Sequence, residues 1–447
     1  MSASHSRRNF LAMTAALSVT GGASQAFARG RSPVGGRIAM RVPFSLTSID
    51  PHRIDDPAAA LFGEALFDTL YARDETGAYI PVLAETDPEP DGNALRVKLR
   101  AGIKTAKGRP FEPRDAWSSL GRARNNGAKA WLADVPAPRI DGRSLVFAMR
   151  DASRLVRALA SPLVAMLPQN FSPDAPDGTG PFRMTTRGDA FVLVRNSYAA
   201  RGPSFLDEVT LRSGPAAASL RAFDSGSDEI AWHGQGLYSK HKDSAAWDLG
   251  GVGWAVLFTG KDAQGWDAPG VAQQVCDGIP PSRLAFLALG PAWTVDANQQ
   301  GWGGPTAAIV VRDDAPWLVE LATALAATIK TPGHDVTVTP INANELVQRR
   351  ASRNFALALD VVRPVTHGSL GAMIGLASAD NPQGASQLVL HPPRVAEVNA
   401  RTLTRTLRCG VVGEVRASGG RIAEVHLAPS SAAFGIDLGG STRGRSR

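Results

Sequence analysis

The chain has 447 residues, 44% hydrophobic and 20% charged, the balance of an ordinary globular protein long enough for two or three domains. Its formal net charge of +7 is basic, yet no Lys/Arg stripe with interleaved aromatics runs through it, which argues against a nucleic-acid partner. No apolar run reaches the roughly 18 residues of a membrane span, which excludes a multi-pass membrane protein.

The N-terminus reads as a leader rather than as part of the fold. Ser6-Arg7-Arg8-Asn9-Phe10-Leu11 is a twin-arginine pattern, a weakly apolar run follows, and Ala26-Phe27-Ala28 is a small-x-small cleavage signal. The expectation is a Tat leader over 1–28 and a mature chain from Arg29, with a general secretion signal as the alternative. No cysteine follows the apolar run, so the exported protein is expected to be soluble and without a lipid anchor. Cys276 and Cys409 are the chain's two cysteines, and one disulfide or two buried thiols both remain open.

Residues 37–42 alternate, with Ile38, Met40 and Val42 on one face, and predict a strand. From Pro57, Leu61, Phe62, Ala65, Leu66 and Leu70 recur at three- and four-residue steps. They predict a helix of about four turns with Asp55 and Asp56 at its positive end. Asp74 and Gly77 make a turn, and Pro81 imposes an extended exit. Leu95, Val97 and Leu99 predict a strand, 102–108 a turn, and Pro113 opens a helix carrying Ala116, Trp117 and Leu120. Further strands are predicted at 145–149, 191–198 and 205–212, with helices at 153–160 and from 216. The run Asp177-Gly178-Thr179-Gly180-Pro181-Phe182 is a tight structural turn permitted by its glycines; no Lys-Ser/Thr follows, so it is no phosphate loop.

Residues 233–305 are rich in Gly and Trp and hold one plausible helix, 269–276. Strand 307–311, helix 315–329, strand 336–339, helix 343–350 and strand 355–362 then predict an α/β unit with parallel pairing. Strands at 411–415 and 422–427 follow, and three arginines in 443–447 suggest a disordered basic tail.

The opening stretch carries Asp50-Pro51-His52, then Leu66-Phe67-Asp68-Thr69-Leu70-Tyr71, an acidic-glycine turn, and Pro81-x-Leu83-Ala84-Glu85. In this order and spacing it resembles the family 5 extracellular solute-binding proteins, the peptide- and nickel-type receptors of ABC importers. Residues 95–120, the Gly178-Thr179-Gly180-Pro181-Phe182 run and residues 191–198 are similar to the same family. Lys104-Thr105-Ala106-Lys107 departs from it in a surface turn, and 233–305 is shorter than the family's usual section.

The resemblance implies an α/β, two-lobed periplasmic-binding-protein fold of the class II type, with mixed sheets and a ligand cleft between the lobes. Its layout would be the leader 1–28, lobe one over 29–232 with a small subdomain at about 70–190, and a shortened lobe two over 233–390. A return to lobe one would span 391–440, and 441–447 would form the tail. The implied function is the periplasmic substrate-binding component of an ABC importer, closing by a hinge on a peptide or other small organic solute. The implied partners are that ligand and the permease subunits in the inner membrane, for a monomer without cofactor or metal. A degenerate domain serving signalling or interaction is the alternative. In peptide-binding members an aspartate holds the peptide ammonium. Here Arg363 falls at that place and Asp360 where a tryptophan would stand, and a guanidinium favours a carboxylate over an amine. Phe44 and Trp232 are the expected apolar walls.

Enzyme signatures are absent from the sequence: no G-x-S-x-G, H-E-x-x-H, C-x-x-C, Walker A or dinucleotide fingerprint occurs. His233 and His241 cannot share one helical face, and the pairs Asp55/Asp56 and Asp313/Asp314 sit at predicted helix starts, where the dipole accounts for them. A binding protein, not an enzyme, is therefore expected.

Overall fold

The computed structural model describes residues 34–46, 48–74, 76–232, 244–280, 289–290, 301–393, 399–430 and 435–444. The predicted leader, His233, His241 and residues 445–447 lie outside them.

Strand β1 (Arg37–Val42) buries Ile38, Met40 and Val42, as its alternation predicts. Helix α1 (Pro57–Leu66) has Pro57 in its first turn, and the Asp56 carboxylate caps it by accepting the Ala59 N–H at 2.8 Å. It is shorter than predicted. The Gly180 N–H takes the Leu66 carbonyl at 3.0 Å, and the chain runs extended from Phe67. Strands β2 (Tyr71–Arg73) and β3 (Tyr79–Pro81) form the predicted hairpin, with Gly77 at φ +89° and the Asp74 carboxylate accepting the Thr76 and Ala78 N–H groups.

A four-stranded antiparallel sheet follows, built from β4 (Glu89–Asp91) and β5 (Ala94–Lys98), then helix α2 (Pro113–Asn125), β6 (Arg139–Asp141) and β7 (Ser144–Phe147), with helix α3 (Ala152–Leu159) beyond. On α2, Ala116 and Leu120 are buried, but Trp117 is half-exposed, and its indole N–H reaches the Pro138 carbonyl at 3.1 Å.

The chain then enters the large sheet through β8 (Phe182–Arg187), β9 (Ala190–Arg195) and β10 (Glu208–Ser213), followed by α4 (Ala216–Asp224) and β11 (Ile230–Trp232). The second half comprises β12 (Ser244–Thr259), α5 (Val271–Asp277), β13 (Leu289–Gly290), β14 (Ala307–Arg312), α6 (Pro316–Ile329), β15 (Val336–Ile341), α7 (Ala343–Ser352) and β16 (Leu357–Val362). Helices α8 (Gly368–Asp380), α9 (Pro382–Leu390) and α10 (Ala400–Thr404) lead to β17 (Cys409–Ile422), β18 (Val425–Pro429) and β19 (Ile436–Arg443).

One mixed sheet joins both halves in the order β15-β14-β16-β12-β17-β11-β1-β10-β9-β8. As the strand–helix alternation predicts, β14 pairs in parallel with β15 and β16; on the other side β1 pairs in parallel with β10 and β11. One feature differs from expectation. Ser441 to Arg443 belong to β19 rather than to a loose tail, and Arg443 pairs with Glu229 at 2.8 Å. Of the two alternatives left open for the cysteines, the structure has the thiols: Cys276 and Cys409 are free and buried, packed in two separate hydrophobic cores.

Candidate cleft between the two halves

The C-terminal ends of β1, β14 and β16 and the first turn of α6 converge on one pocket of about 430 Å³, counting the part open to solvent. This is where ligands bind in open α/β sheets, outside the carboxyl ends of parallel strands. The first half contributes Phe44, Ser45, Ser48, Arg53 and Asp56; the second contributes Arg312, Trp317, Leu318 and Asp360.

Behind the pocket the Asp50-Pro51-His52 loop is held at every polar group it buries except one. Asp50 receives a bidentate Arg122 at 2.8 and 2.6 Å and orients the His52 N–H at 3.0 Å, while its own N–H goes to Asp56 at 2.9 Å. The His52 ring reaches the Ala165 carbonyl through Nε2 at 2.8 Å, whereas Nδ1 is buried without a partner. The Pro51 carbonyl accepts from the Arg363 guanidinium, and the Arg363 N–H bonds the Ile54 carbonyl at 3.0 Å. Burial pushes Arg363 down to about 10, although Asp56 and Asp50 favour its charge.

An alternating chain of charges lines the pocket's edge. Arg53 forks onto Asp55 at 2.9 and 3.1 Å, and Arg350 from the second half lies 3.6 Å from Asp55 and 2.6 Å from Asp360. Asp360 also accepts the Val361 N–H at 2.9 Å. Arg312 forks onto Asp314 at 2.5 and 2.7 Å. So neither Asp55 nor Asp314 serves the helix end expected of it: α1 is capped by Asp56 alone, and Ala315 stands at the cap position of α6 with no side-chain cap.

The four residues singled out from sequence are all buried, and they divide by position. Phe44 and Asp360 line the pocket. Trp232 stands behind Phe44, edge to face at 5.4 Å, and Phe44 meets Trp317 of the other half in the same way at 5.8 Å. Arg363 points to the Asp50-Pro51-His52 loop rather than into the pocket. Sequence reasoning missed Arg53, Arg312 and Trp317.

A second hollow, about 500 Å³ counting the part open to solvent, lies within the first half beside α1. Its acids already have partners: Arg201 pairs with Asp68 at 2.7 Å, and Glu64 accepts from the Ser430 hydroxyl at 2.6 Å. No group of three or more His, Cys, Asp or Glu suited to a metal occurs among the described residues.

Residues 78–242 match the profile of the bacterial extracellular solute-binding proteins, family 5 middle region. The glutathione-binding protein GsiB of Escherichia coli (strain K12) is 28% identical over 198 residues, 39% of this chain and 38% of that protein. The GsiB of Salmonella paratyphi A is 26% identical over the same extent. The chain thus matches under two-fifths of the length of these relatives. Among solved structures, the oligopeptide-binding protein AppA of Bacillus subtilis with a nonapeptide superposes with a TM-score of 0.68, 13% identity, and coverage of 93% of this chain and 100% of AppA. NikA of Staphylococcus aureus with Ni(L-His)2 gives 0.67 and 14%, covering 91% and 100%.

Proposed function

We propose that the chain is a member of the family 5 extracellular solute-binding proteins, whose profile residues 78–242 match, and that it is the substrate-binding component of an ABC importer, closing two lobes on a small organic solute or short peptide. The observation that carries this reading is the pocket at the facing ends of β1, β14 and β16, with walls from both halves. A solute touching both halves binds the closed arrangement better than the open one and shifts the population towards it, and the closed shape is what permease subunits would read.

In this reading Phe44 and Trp317 are the apolar walls and Asp360 a polar group at the rim. Trp232 sets the angle of Phe44, and Arg363 ties the second lobe to the Asp50-Pro51-His52 loop. A binding role, not a catalytic one, is supported by the family, whose members are binding proteins. The site of action is the periplasm, supported by the twin arginines of the leader.

The test is a thermal-shift screen of the full mature chain against amino acids, di- and tripeptides, glutathione and organic acids. A binder raises Tm in proportion to the logarithm of its concentration, by about 2.7 kcal/mol of stability at a hundredfold excess over Kd. A flat response across the panel would favour the degenerate interaction module.

A further inference from the structure

The polar groups of the cleft are unequally engaged. Asp56 accepts the N–H groups of Asp50 and Ala59, and Asp360 accepts from Arg350 and the Val361 N–H. Both oxygens of each carboxylate are thus already engaged, and burial pushes both carboxyls above the usual range. The arginines differ. Arg53 and Arg312 each hold the aspartate two residues ahead through Nε and Nη2. A guanidinium is a planar fork, so that grip turns the Nη1 edge away from the aspartate. Both arginines line the pocket, one from each half, and they are near enough for their charges to repel. The uncapped N-terminal end of α6 and the side chains of Ser45 and Ser48 border the same space.

We infer, on the basis of the receptor reading above, that the solute carries a carboxylate held between Arg53 and Arg312, with an apolar portion against the Phe44–Trp317 pair. Because the two guanidinium groups come from opposite halves, the carboxylate itself couples binding to lobe closure.

The experiment is titration calorimetry on the wild-type mature chain with matched probes: leucine, phenylalanine and glycyl-leucine, each as free acid, as C-terminal amide and as the decarboxylated amine. Binders from the broad screen are tested in the same matched forms. The expected result is that acids bind about 10- to 100-fold more tightly than their amides, the scale of a lost charge-assisted contact. Arg312→Gln should reduce that preference about tenfold, leaving the share that Arg53 provides. Acids and amides binding equally, or amines binding best, would overturn the carboxylate assignment and leave the receptor reading in place. Absence of binding throughout would remove both. The wild-type comparison alone decides the matter if Arg312→Gln does not fold.

Discussion

At the scale of single residues, His52 carries a clear electrostatic consequence. Its Nε2 bonds the Ala165 carbonyl, so the neutral ring keeps its proton there and presents a bare, buried Nδ1. Burial, with the Arg122 charge, pushes its pKa from 6.5 to about 4, although the Ala165 bond favours the proton. The unfolded chain takes up a proton below pH 6.5 that the folded chain refuses until about pH 4. Stability is therefore complete above 6.5 and falls through that window, by about 3 kcal/mol from this group alone. His52→Gln preserves a donor towards Ala165 and cannot titrate. Its Tm should be less dependent on pH between 6.5 and 4 than that of the wild type; parallel curves would show that the folded protein holds a charged His52.

At the scale of elements, the end of α1 is set by what packs against it rather than by its own sequence. Leu70 keeps the helical spacing, yet the chain leaves the helix at Phe67 because the 178–182 loop lies across its last carbonyl. Neither Gly178 nor Gly180 has a positive φ among the described backbone. Their need for glycine is close approach: a Cβ at Gly178 would fall on the Leu66 carbonyl oxygen, and one at Gly180 would lie 2.6 Å from the Leu66 carbonyl carbon. Gly178→Ala and Gly180→Ala should each cost about 2–3 kcal/mol. Gly121→Ala, on the exposed face of α2 with no atom near its added methyl, should instead stabilise by about 1 kcal/mol. Melting curves of the three variants check both signs.

The same scale explains what the sequence could show. β1, β14 and α6 read clearly because one face of each is apolar and the other faces differ in kind. β12 was hidden: Asp248-Leu249-Gly250-Gly251-Val252-Gly253 interrupts its alternation, and its pairing with β17 shifts register at the same place. Gly253 is required there by the close Val362 carbonyl, and Gly251 lies against the Glu414 side chain. α8 was hidden because small residues fill most of it, among them Gly371 and Gly375, each pressed against backbone. The pocket was legible only in part, since its walls come from segments around residues 44–57, 312–318 and 360 that no local pattern links.

For the whole molecule, the register breaks in β12 mark the place where one half gives way to the other. Residues 244–248 pair with β17 over 418–422, the part of that strand that also pairs with β11 of the first half. Residues 254–258 pair with β17 over 409–414, and 254–259 with β16 of the second half. A sheet continuous through both lobes must bend somewhere if the lobes are to close, and bulges bend a strand without breaking the ladders on either side. We place the hinge at residues 248–253. Gly250 sits there at φ +89°, with open space around it, so an added methyl meets backbone strain but no clash. In the arrangement described, Arg350 and Arg363 of the second half already reach Asp55 and Pro51 of the first. Gly250→Ala strains this arrangement by about 1 kcal/mol and should weaken a bound solute roughly fivefold, though residue 250 is not among the pocket's walls. The free variant should also give a larger radius of gyration by small-angle scattering. An unchanged Kd with an unchanged radius would place the bend outside β12.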